Sequence, residues 1–261
     1  MRELADHEVH LWFADYDQVN AALLSRYRSL LTDAERDQES RFHFVRDRCR
    51  YVVTRTLVRT TLSMYYPLAP KDWRFSTNAF GRPEVCAATA RIGGCADLRF
   101  NLSHTHSVIV LAVARGTAIG IDVESATTRE ISMDVAEHFF ASTEVRELSR
   151  MPLLEQRRLF FEYWTLKESY IKGRGMGLSI PLDKFAFSLA VPSSIFFEVH
   201  PELADDAARW QFWQFAVGDN YVVALCAQRR AVAAPKQVRA RAVLPLVGDE
   251  PLAIDVRRTS P

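Results

Sequence analysis

Apolar residues alternate with small or acidic ones between residues 119 and 124. Ile119, Ile121 and Val123 are apolar, and Gly120, Asp122 and Glu124 stand between and after them. Because successive side chains of a β-strand point to opposite faces, this pattern predicts a strand that carries both carboxylates on one face. The apolar run 108–114 precedes it across a short connection that contains Gly116. We therefore predict that the two runs form a hairpin.

A second pattern has the spacing of a helix. Between residues 155 and 173, large apolar residues recur three and four positions apart, which is typical of a helix with one buried face. On this helix Trp164, Glu168 and Lys172 lie along one ridge. A Glu followed by a Lys four residues later is also an ordinary surface pair, contributing about 0.2–0.5 kcal/mol. Likewise, an Asp-x-Glu on a strand is often a solvated face, so the patterns alone leave both alternatives open.

The remaining patterns predict two halves of mixed helix and strand, which we call the N lobe (residues 1–117) and the C lobe (residues 118–228). In the N lobe we predict a strand at 10–13, helices near 17–31 and 33–64, and the 108–114 strand. In the C lobe, after the 119–124 strand, we predict helices near 132–140, 142–149 and 155–173 and strands near 185–190, 195–199, 210–216 and 221–227. Residues 229–261 are rich in Arg, Ala and Pro, so we predict an extension outside the core.

Composition narrows the class of protein. The 261 residues are 48% hydrophobic and 25% charged, with a formal net charge of +1, and such a chain can bury one large core or two smaller ones. Nucleic-acid-binding proteins usually carry a marked basic excess, so the near-neutral balance argues against that class. The four cysteines lack paired or metal-like spacing, and the N-terminus lacks a long apolar stretch. We therefore predict reduced thiols, no secretion signal, no membrane span and a cytoplasmic location.

The two patterned segments together suggest metal-assisted chemistry on a phosphate ester. Hard oxygen ligands from separate elements suit Mg²⁺, which usually takes one or two protein carboxylates and completes its shell with water and phosphate oxygens. Asp122, Glu124 and Glu168 are the candidate ligands, and Lys172, one turn after Glu168, could meet the phosphate charge. The chain has no Walker-type phosphate loop, which weakens a nucleoside triphosphatase as an alternative.

Three other features of the sequence can be explained either by a structural role or by a function. The alternating glycines of residues 173–177 predict a tight loop, which either caps the preceding helix or lets the backbone approach a ligand closely. His104 and His106 form a His-x-His pair, but zinc normally needs three or four protein ligands, so we do not predict a zinc site. The arginine-rich stretch 41–59 is typical of a helix with a charged face, with a nucleic-acid patch as the alternative.

Taken together, these segments resemble the 4′-phosphopantetheinyl transferases of the surfactin-synthetase-activating (Sfp-like) type. The signature of that family is Gly-Ile-Asp-x-Glu followed, after a gap, by Trp-x-x-Lys-Glu-Ser-x-x-Lys, and this chain has both halves, at 120–124 and 164–172. Further matches, in the family's order, are Phe75-Ser76-Thr77 with Gly81-Arg82-Pro83, Phe100-Asn101-Leu102-Ser103-His104, and Gly175-x-Gly177-Leu178 before Pro181-Leu182. The similarity covers residues 30–190, and five motifs in order make chance agreement improbable.

The resemblance implies a fold and a reaction. The fold is a pseudo-two-fold pair of similar α+β lobes with the active site in the cleft between them. The reaction is the Mg²⁺-dependent transfer of the 4′-phosphopantetheine arm of coenzyme A to a serine of an apo acyl or peptidyl carrier protein, which leaves 3′,5′-ADP. Attack of a hydroxyl on a pyrophosphate needs a cation, a base and fixed positive groups, and the candidate residues can supply all three. The double-length chain resembles the type that serves polyketide or nonribosomal peptide biosynthesis, which implies a monomer.

The resemblance also implies a role for individual residues. Asp122 and Glu168 would be the principal Mg²⁺ ligands, with Glu124 a direct or water-mediated third. The base that takes the serine proton would be Glu168 or a metal-bound water that it orients, and Lys172 would complete the catalytic set. The residues that the resemblance places in contact with coenzyme A are Thr77, Gly81, Arg82, Asn101, Ser103, His104, Lys167 and Lys172. For Lys167, which points away from the Glu168 ridge, exposure to solvent is the alternative.

The chain departs from the family's pattern at Gln38, where relatives tend to have a basic residue that holds the 3′-phosphate of coenzyme A. Arg36 and Arg41 flank Gln38 and are the candidates to replace it. For docking of the carrier protein, the candidates are the apolar residues near Met176 and in the 138–150 region, Phe139, Phe140, Val145 and Leu148, with core packing as the alternative for each, above all for the two phenylalanines.

Two other functions remain as alternatives to transfer. One is a non-catalytic module that binds coenzyme A or a carrier protein, and the other is a different Mg²⁺-dependent phosphotransferase.

Overall fold

A computed structural model describes residues 1–127, 133–218, 220–229 and 236–261. The strands are β1 (Glu8–Asp15), β2 (Phe75–Thr77), β3 (Pro83–Val85), β4 (Leu98–Thr105), β5 (Val108–Arg115), β6 (Ile119–Ser125), β7 (Phe185–Ser188), β8 (Phe196–Val199), β9 (Trp210–Val217), β10 (Tyr221–Gln228), β11 (Gln237–Leu244), β12 (Gly248–Pro251) and β13 (Asp255–Thr259). The α-helices are α1 (Ala21–Arg28), α2 (Asp33–Arg41), α3 (Val45–Tyr65), α4 (Ala87–Ile92), α5 (Met133–Phe139), α6 (Ser142–Arg150) and α7 (Leu153–Arg174).

The strands form two main sheets, one in each lobe. The first has the order β12-β11-β1-β5-β4 and the second the order β13-β9-β10-β6. β1 and β11 run parallel, and the other neighbours within these two sheets are antiparallel. Two small hairpins, β2–β3 and β7–β8, accompany them. This architecture confirms the predicted fold class, an α+β pair of lobes.

Apolar residues form a core in each lobe and a third core between the lobes. In the first core α1 and α3 pack on one face of the first sheet, through residues that include Tyr27, Leu57 and Trp12. In the second, α7 packs on the second sheet through residues that include Leu166, Tyr170 and Phe212. The third core lies between the two sheets and contains Leu11, Ile121 and Leu225. Burial of apolar area stabilises by about 25 cal/mol per Å², so this third core holds the lobes together.

The predicted hairpin between the 108–114 and 119–124 strands is wrong. β5 pairs with β4 and β1, whereas β6 pairs with β10, so the connection between β5 and β6 carries the chain from one sheet to the other. β6 is an edge strand, and side chains of β4 accept its free N–H groups. Asn101 Oδ1 accepts from Ile121 N at 2.9 Å, and Ser103 Oγ accepts from Val123 N at 3.3 Å. Alternation identifies a strand but not its partner, which explains the error.

The prediction that residues 229–261 lie outside the core is also wrong for the strands of this segment. β11 pairs with β1 from Glu8↔Gln237 to Phe13↔Ala242, and β13 pairs with β9. The guanidinium of Arg258 in β13 donates to Glu162 Oε2 on α7 at 3.1 Å. In β11 the residues that pack toward the core between the sheets are only Val238 and Ala240, among arginines. Such small apolar residues give a weak strand signal.

The other predicted elements agree with the structure more closely in the C lobe than in the N lobe. The helices and strands predicted between 155 and 228 are present within a few residues of their predicted ends. The single helix predicted over 33–64 is two helices, because Phe42 and Phe44 have extended backbones between α2 and α3. His104 lies in β4. No helix in the described ranges is both long enough and apolar enough to span a membrane.

Helix α7 packs directly on β6 at Gly120. A Cβ atom at this position would overlap the carbonyl oxygen of Ser169 and the backbone nitrogen of Gly173. Both are backbone atoms, so no side chain can rotate away to make room. The glycine therefore allows the close approach that brings the C-terminal turn of α7 beside Asp122, two residues further along the same strand.

We expect Gly120→Ala to destabilise the fold for this reason. Overpacking typically costs about 1–3 kcal/mol, and the loss should reach or exceed this range because the overlap is with backbone. Urea unfolding followed by circular dichroism measures the change. Gly248→Ala is the matched control, since a Cβ there meets nothing within 4 Å. Equal unfolding midpoints for the two variants would contradict the close contact.

Candidate active site

Asp122 lies at the centre of a cluster of charged residues between β6, β4 and α7. Its side chain is buried, and Oδ1 accepts hydrogen bonds from Lys172 Nζ at 2.6 Å and from Ser103 Oγ at 2.7 Å. Lys172 Nζ also donates to Ser103 Oγ at 3.1 Å. The other oxygen, Asp122 Oδ2, is buried and accepts no hydrogen bond from the described residues. An unpaired buried carboxylate oxygen is costly, so this atom marks a place where a cation would be favoured.

Two further carboxylates face the same region. Burial raises the pKa of Glu168, and the negative charges of Asp122 and Glu124 raise it further, while Lys172 opposes them. No hydrogen bond or ion pair from the described residues reaches the Glu168 carboxylate. Glu124 accepts from Thr105 Oγ1 at 3.1 Å. The three acidic residues singled out in the sequence are thus close enough to repel one another.

The cluster fits a hard divalent cation that takes some of its ligands from the protein and the others from water and a substrate. Among the described residues, no three His, Cys, Asp or Glu side chains are arranged to hold a metal ion by themselves. Mg²⁺ rarely needs such a cage, because it binds through one or two carboxylates and takes water and phosphate oxygens for the rest. The unpaired Asp122 Oδ2 and the repulsion at Glu168 are the two observations that favour this fit.

Positive groups lie on the N-lobe side of the cluster. His104 follows Ser103 in β4, and its side chain is exposed at the surface. Partial loss of hydration and the positive charges of Arg50 and Lys172 lower its pKa, with Asp122 opposing. Arg50 belongs to α3 and also forms an ion pair with Asp47 at 2.8 Å. A ligand with several negative charges would relieve the repulsion among these groups. Sequence analysis placed Arg50 only within a charged helix face, because its proximity to His104 is visible only in three dimensions.

The implied contact between Lys167 and coenzyme A is wrong. The side chain is 1% exposed, and Nζ donates to the carbonyl oxygens of Leu182 and Phe185, both at 2.8 Å. It also forms an ion pair with Glu144 at 2.7 Å. Each helical residue turns by about 100°, so the residue next to Glu168 points into the core of the C lobe. All three donors of the ammonium group therefore have partners inside the protein.

Two other residues assigned to coenzyme A have partners within the protein. The guanidinium of Arg82 donates to the carbonyl oxygens of Lys172, Gly173 and Ile119. Asn101 is buried, and its side-chain oxygen accepts from the backbone of β6. Their contacts with coenzyme A stay predictions. Each residue lies where the two lobes meet, which local sequence could not indicate.

Thr77 and Gly81 are exposed on the β2–β3 hairpin. Gly81 has a φ of 84°, in the left-handed region that favours glycine. Their contact with coenzyme A stays a prediction, and so does that of Ser103, whose hydroxyl is already bonded within the cluster.

The candidate docking residues divide into exposed and buried ones. The side chain of Phe139 is 47% exposed, whereas Phe140 and Leu148 are buried in the C-lobe core. Phe140 stacks on Phe160 with ring centroids 5.2 Å apart. The alternative of core packing therefore holds for Phe140 and Leu148. Phe139 and the half-buried Val145 and Met176 remain as candidates.

Comparison with known families gives matches to both halves of the chain. Residues 118–226 match the model of the 4′-phosphopantetheinyl transferase superfamily, and residues 17–116 match that of the 4′-phosphopantetheinyl transferase N-terminal region. Both patterned segments of the candidate site lie within the first match.

Individual relatives align over most of the chain. The 4′-phosphopantetheinyl transferase Sfp of Bacillus subtilis is 34% identical over 202 residues, which are 77% of this chain and 84% of that protein. The 4′-phosphopantetheinyl transferase HetI of Nostoc sp. is 30% identical over 85% of this chain and 88% of that protein. Among solved structures, the holo-[acyl-carrier-protein] synthase (AcpS) of Thermotoga maritima overlaps in part, with a TM-score of 0.35 and 20% identity over 48% of this chain and 67% of that one.

Proposed function

Since the chain belongs to the 4′-phosphopantetheinyl transferase family, we propose that its charged cluster uses Mg²⁺ to transfer the phosphopantetheine arm of coenzyme A to a serine of an apo carrier protein, with 3′,5′-ADP as the product. The observation that carries this proposal is the unpaired, buried Oδ2 of Asp122 beside two repelling carboxylates and a lysine. A negatively charged substrate and its cation would satisfy every group in that arrangement.

In the reaction, the serine oxygen forms a bond to the phosphorus of the phosphopantetheine arm. The bond from that phosphorus to the bridging oxygen breaks, and the bridging oxygen leaves with 3′,5′-ADP. Asp122 and Glu168 would hold the Mg²⁺, with Glu124 binding directly or through water, and the ion would offset the negative charge that develops on the phosphates. Lys172, which lies beside Asp122, and His104 would donate hydrogen bonds to phosphate oxygens.

The serine proton goes to Glu168 or to a water that Glu168 orients. Both candidates are kept, because no described residue engages the Glu168 carboxylate, whereas a carboxylate that also holds Mg²⁺ would be a weak base. Lys172 stands one helical turn away, where its charge can stabilise the carboxylate without blocking it.

The 3′-phosphate of coenzyme A needs a positive partner that Gln38 cannot supply. Arg36 donates to the carbonyl oxygen of Leu31 and pairs with Asp33. Arg41, at the end of α2, is exposed and has no hydrogen bond or ion pair within the described part of the chain. Arg41 is therefore the better candidate of the two that flank Gln38.

We further propose coenzyme A and an apo acyl or peptidyl carrier protein as partners, a monomer as the working form and the cytoplasm as the location.

The experiment that tests the function is incubation of the protein with coenzyme A, MgCl₂ and one apo carrier protein of each class, followed by intact-mass spectrometry. We expect the carrier to gain the mass of the phosphopantetheine arm, and EDTA to abolish the gain. Binding of coenzyme A without modification of any carrier would favour the non-catalytic module. Thermal stabilisation by ATP but not by coenzyme A would favour a different phosphotransferase.

A further inference from the structure

The tip of the β2–β3 hairpin, residues 78–82, belongs to the N lobe but holds the end of helix α7 in the C lobe. Arg82 Nη1 donates to the carbonyl oxygens of Lys172 at 2.8 Å and Gly173 at 3.2 Å, and Nη2 donates to the carbonyl oxygen of Ile119 at 3.1 Å. One rigid guanidinium thus joins the last turn of α7 to the first residue of β6. A planar fork of donors suits this task, and a single ammonium cannot reproduce it.

The partners of Arg82 are groups that need donors. The last four carbonyl groups of a helix have no partner within the helix and carry partial negative charge. In α7, Gly175 N–H supplies one bond to Ile171 O and one to Lys172 O. Arg82 adds a positively charged donor to the Lys172 carbonyl and to the Gly173 carbonyl. Its partners on α7 are thus backbone groups at the end of the helix. The contact is therefore a helix cap provided by the other lobe.

Asn78 organises the tip and adds a second link. Its Oδ1 accepts from Phe80 N at 2.9 Å and Arg82 N at 3.0 Å, which fixes the turn. Its Nδ2 donates to Gly175 O at 2.8 Å. One side chain thus shapes the hairpin tip and fastens it to the loop after α7.

These links meet at Lys172, the lysine that contacts Asp122. The carbonyl held by Arg82 is that of Lys172 itself, whose Nζ reaches Asp122 Oδ1 at 2.6 Å and Ser103 Oγ at 3.1 Å. Ile119, the third partner of Arg82, lies three residues before Asp122 in β6. Both ends of the Lys172–Asp122 contact are therefore tied, a few residues away, to the same guanidinium.

We propose that Asn78 and Arg82 are positioning residues, which set the place of Lys172 relative to Asp122 by holding the end of α7 against β6. They act through Lys172 and touch neither coenzyme A nor the carrier serine. The inference rests on the proposed function, because it concerns the transfer step that Lys172 assists. It differs from the role that the family resemblance implies for Arg82, which is contact with the nucleotide.

The test separates the two roles by splitting turnover from nucleotide binding. We expect Arg82→Lys, which keeps the charge but not the fork, to lower kcat for transfer about 10- to 100-fold, since small misplacements of a reacting group have effects of this size. Binding of 3′,5′-ADP, measured by isothermal titration, should stay within about twofold of wild type, because a residue that only positions Lys172 does not contact the nucleotide. In a Lys172→Arg background the same change should cost much less, because residues that act through one another are not additive.

A second variant guards against a folding defect in the first. Asn78→Asp keeps an acceptor for Phe80 N and Arg82 N but loses the donor to Gly175 O, and it should lower kcat in the same way. Arg99→Lys is the matched control. Its guanidinium also donates to backbone carbonyls, those of Ala96 and Leu98, but reaches no residue of α7. Thermal unfolding of each variant confirms that it is folded.

The outcomes separate this inference from the proposed function. Loss of 3′,5′-ADP binding with kcat unchanged in Arg82→Lys would overturn the positioning role in favour of nucleotide contact. Full additivity with Lys172→Arg would show that Arg82 does not act through Lys172. Absence of transfer by the wild-type protein, with intact binding of coenzyme A, would instead overturn the proposed function.

Discussion

Glu168→Gln lowers the rate of phosphopantetheine transfer by about 10²- to 10⁴-fold, the range that a general base typically contributes, and the protein remains folded. The amide cannot accept the serine proton and is a poorer ligand for Mg²⁺ than a carboxylate. The fold should tolerate the change, because the carboxylate has no partner among the described residues to lose. Removing its charge also relieves the repulsion from Asp122 and Glu124 that raises the pKa of Glu168.

The measurement is initial rate by intact-mass spectrometry with saturating coenzyme A and MgCl₂, together with thermal unfolding. Glu155→Gln on the same helix is the control, because Glu155 is exposed in the first turn of α7, far along the chain from the cluster. Transfer by Glu168→Gln at the wild-type rate would remove Glu168 from the metal site and from the role of base.

The second large effect concerns stability. We expect Lys167→Met to lower the free energy of unfolding by about 3–5 kcal/mol, the usual cost of leaving one member of a buried ion pair uncompensated. Glu144 is completely buried, and Lys167 is its only ionic partner among the described residues. Two backbone N–H groups, of Ala141 and Phe187, would remain to hold the carboxylate.

The loss should depend on pH in a defined direction. Burial raises the pKa of Glu144 above its ordinary value of 4.5, and Lys167 opposes that rise. Without the lysine the folded state retains a proton that the unfolded state releases. The contribution of Glu144 to the stability of the variant is therefore fully present below pH 4.5 and is lost as the pH rises through the higher pKa of the folded state.

Chemical unfolding at a series of pH values measures this dependence. Adding Glu144→Gln to Lys167→Met should restore part of the stability by removing the buried charge. A Lys167→Met protein with unchanged unfolding but weaker binding of coenzyme A would return Lys167 to the role that the family resemblance implies.

The sequence predicted the elements that carry the three carboxylates better than the contacts around them. Alternation around Asp122 and helical spacing around Glu168 place each carboxylate on the correct face, because these patterns depend only on local geometry. The meeting of the two segments follows from Gly120, which permits the close contact of β6 with α7. Before the structure, only the family motif indicated that the two segments meet.

What could not be predicted depends on contacts between distant segments. Lys167 and Lys172 look alike in the motif, yet one is buried with Glu144 and the other lies in the cluster with Asp122. The role of Asn101 as a partner for the edge of β6 requires the two sheets to be in place. Side chains at the boundary between the lobes carry no periodic signal, so only the family resemblance gave them a role, as contacts of coenzyme A.

The parallel pairing of β1 with β11 has a consequence for the synthesis of the protein. Glu8 is paired with Gln237. Roughly 230 residues must therefore be added, at about 5–20 residues per second, before β11 can pair with β1. For some tens of seconds one edge of β1 is open while the nascent chain grows, and open strand edges favour association with other chains. We expect the yield of folded protein in cells to be limited by protection of this edge on the ribosome, and to rise when chaperones that bind nascent chains are supplied in excess.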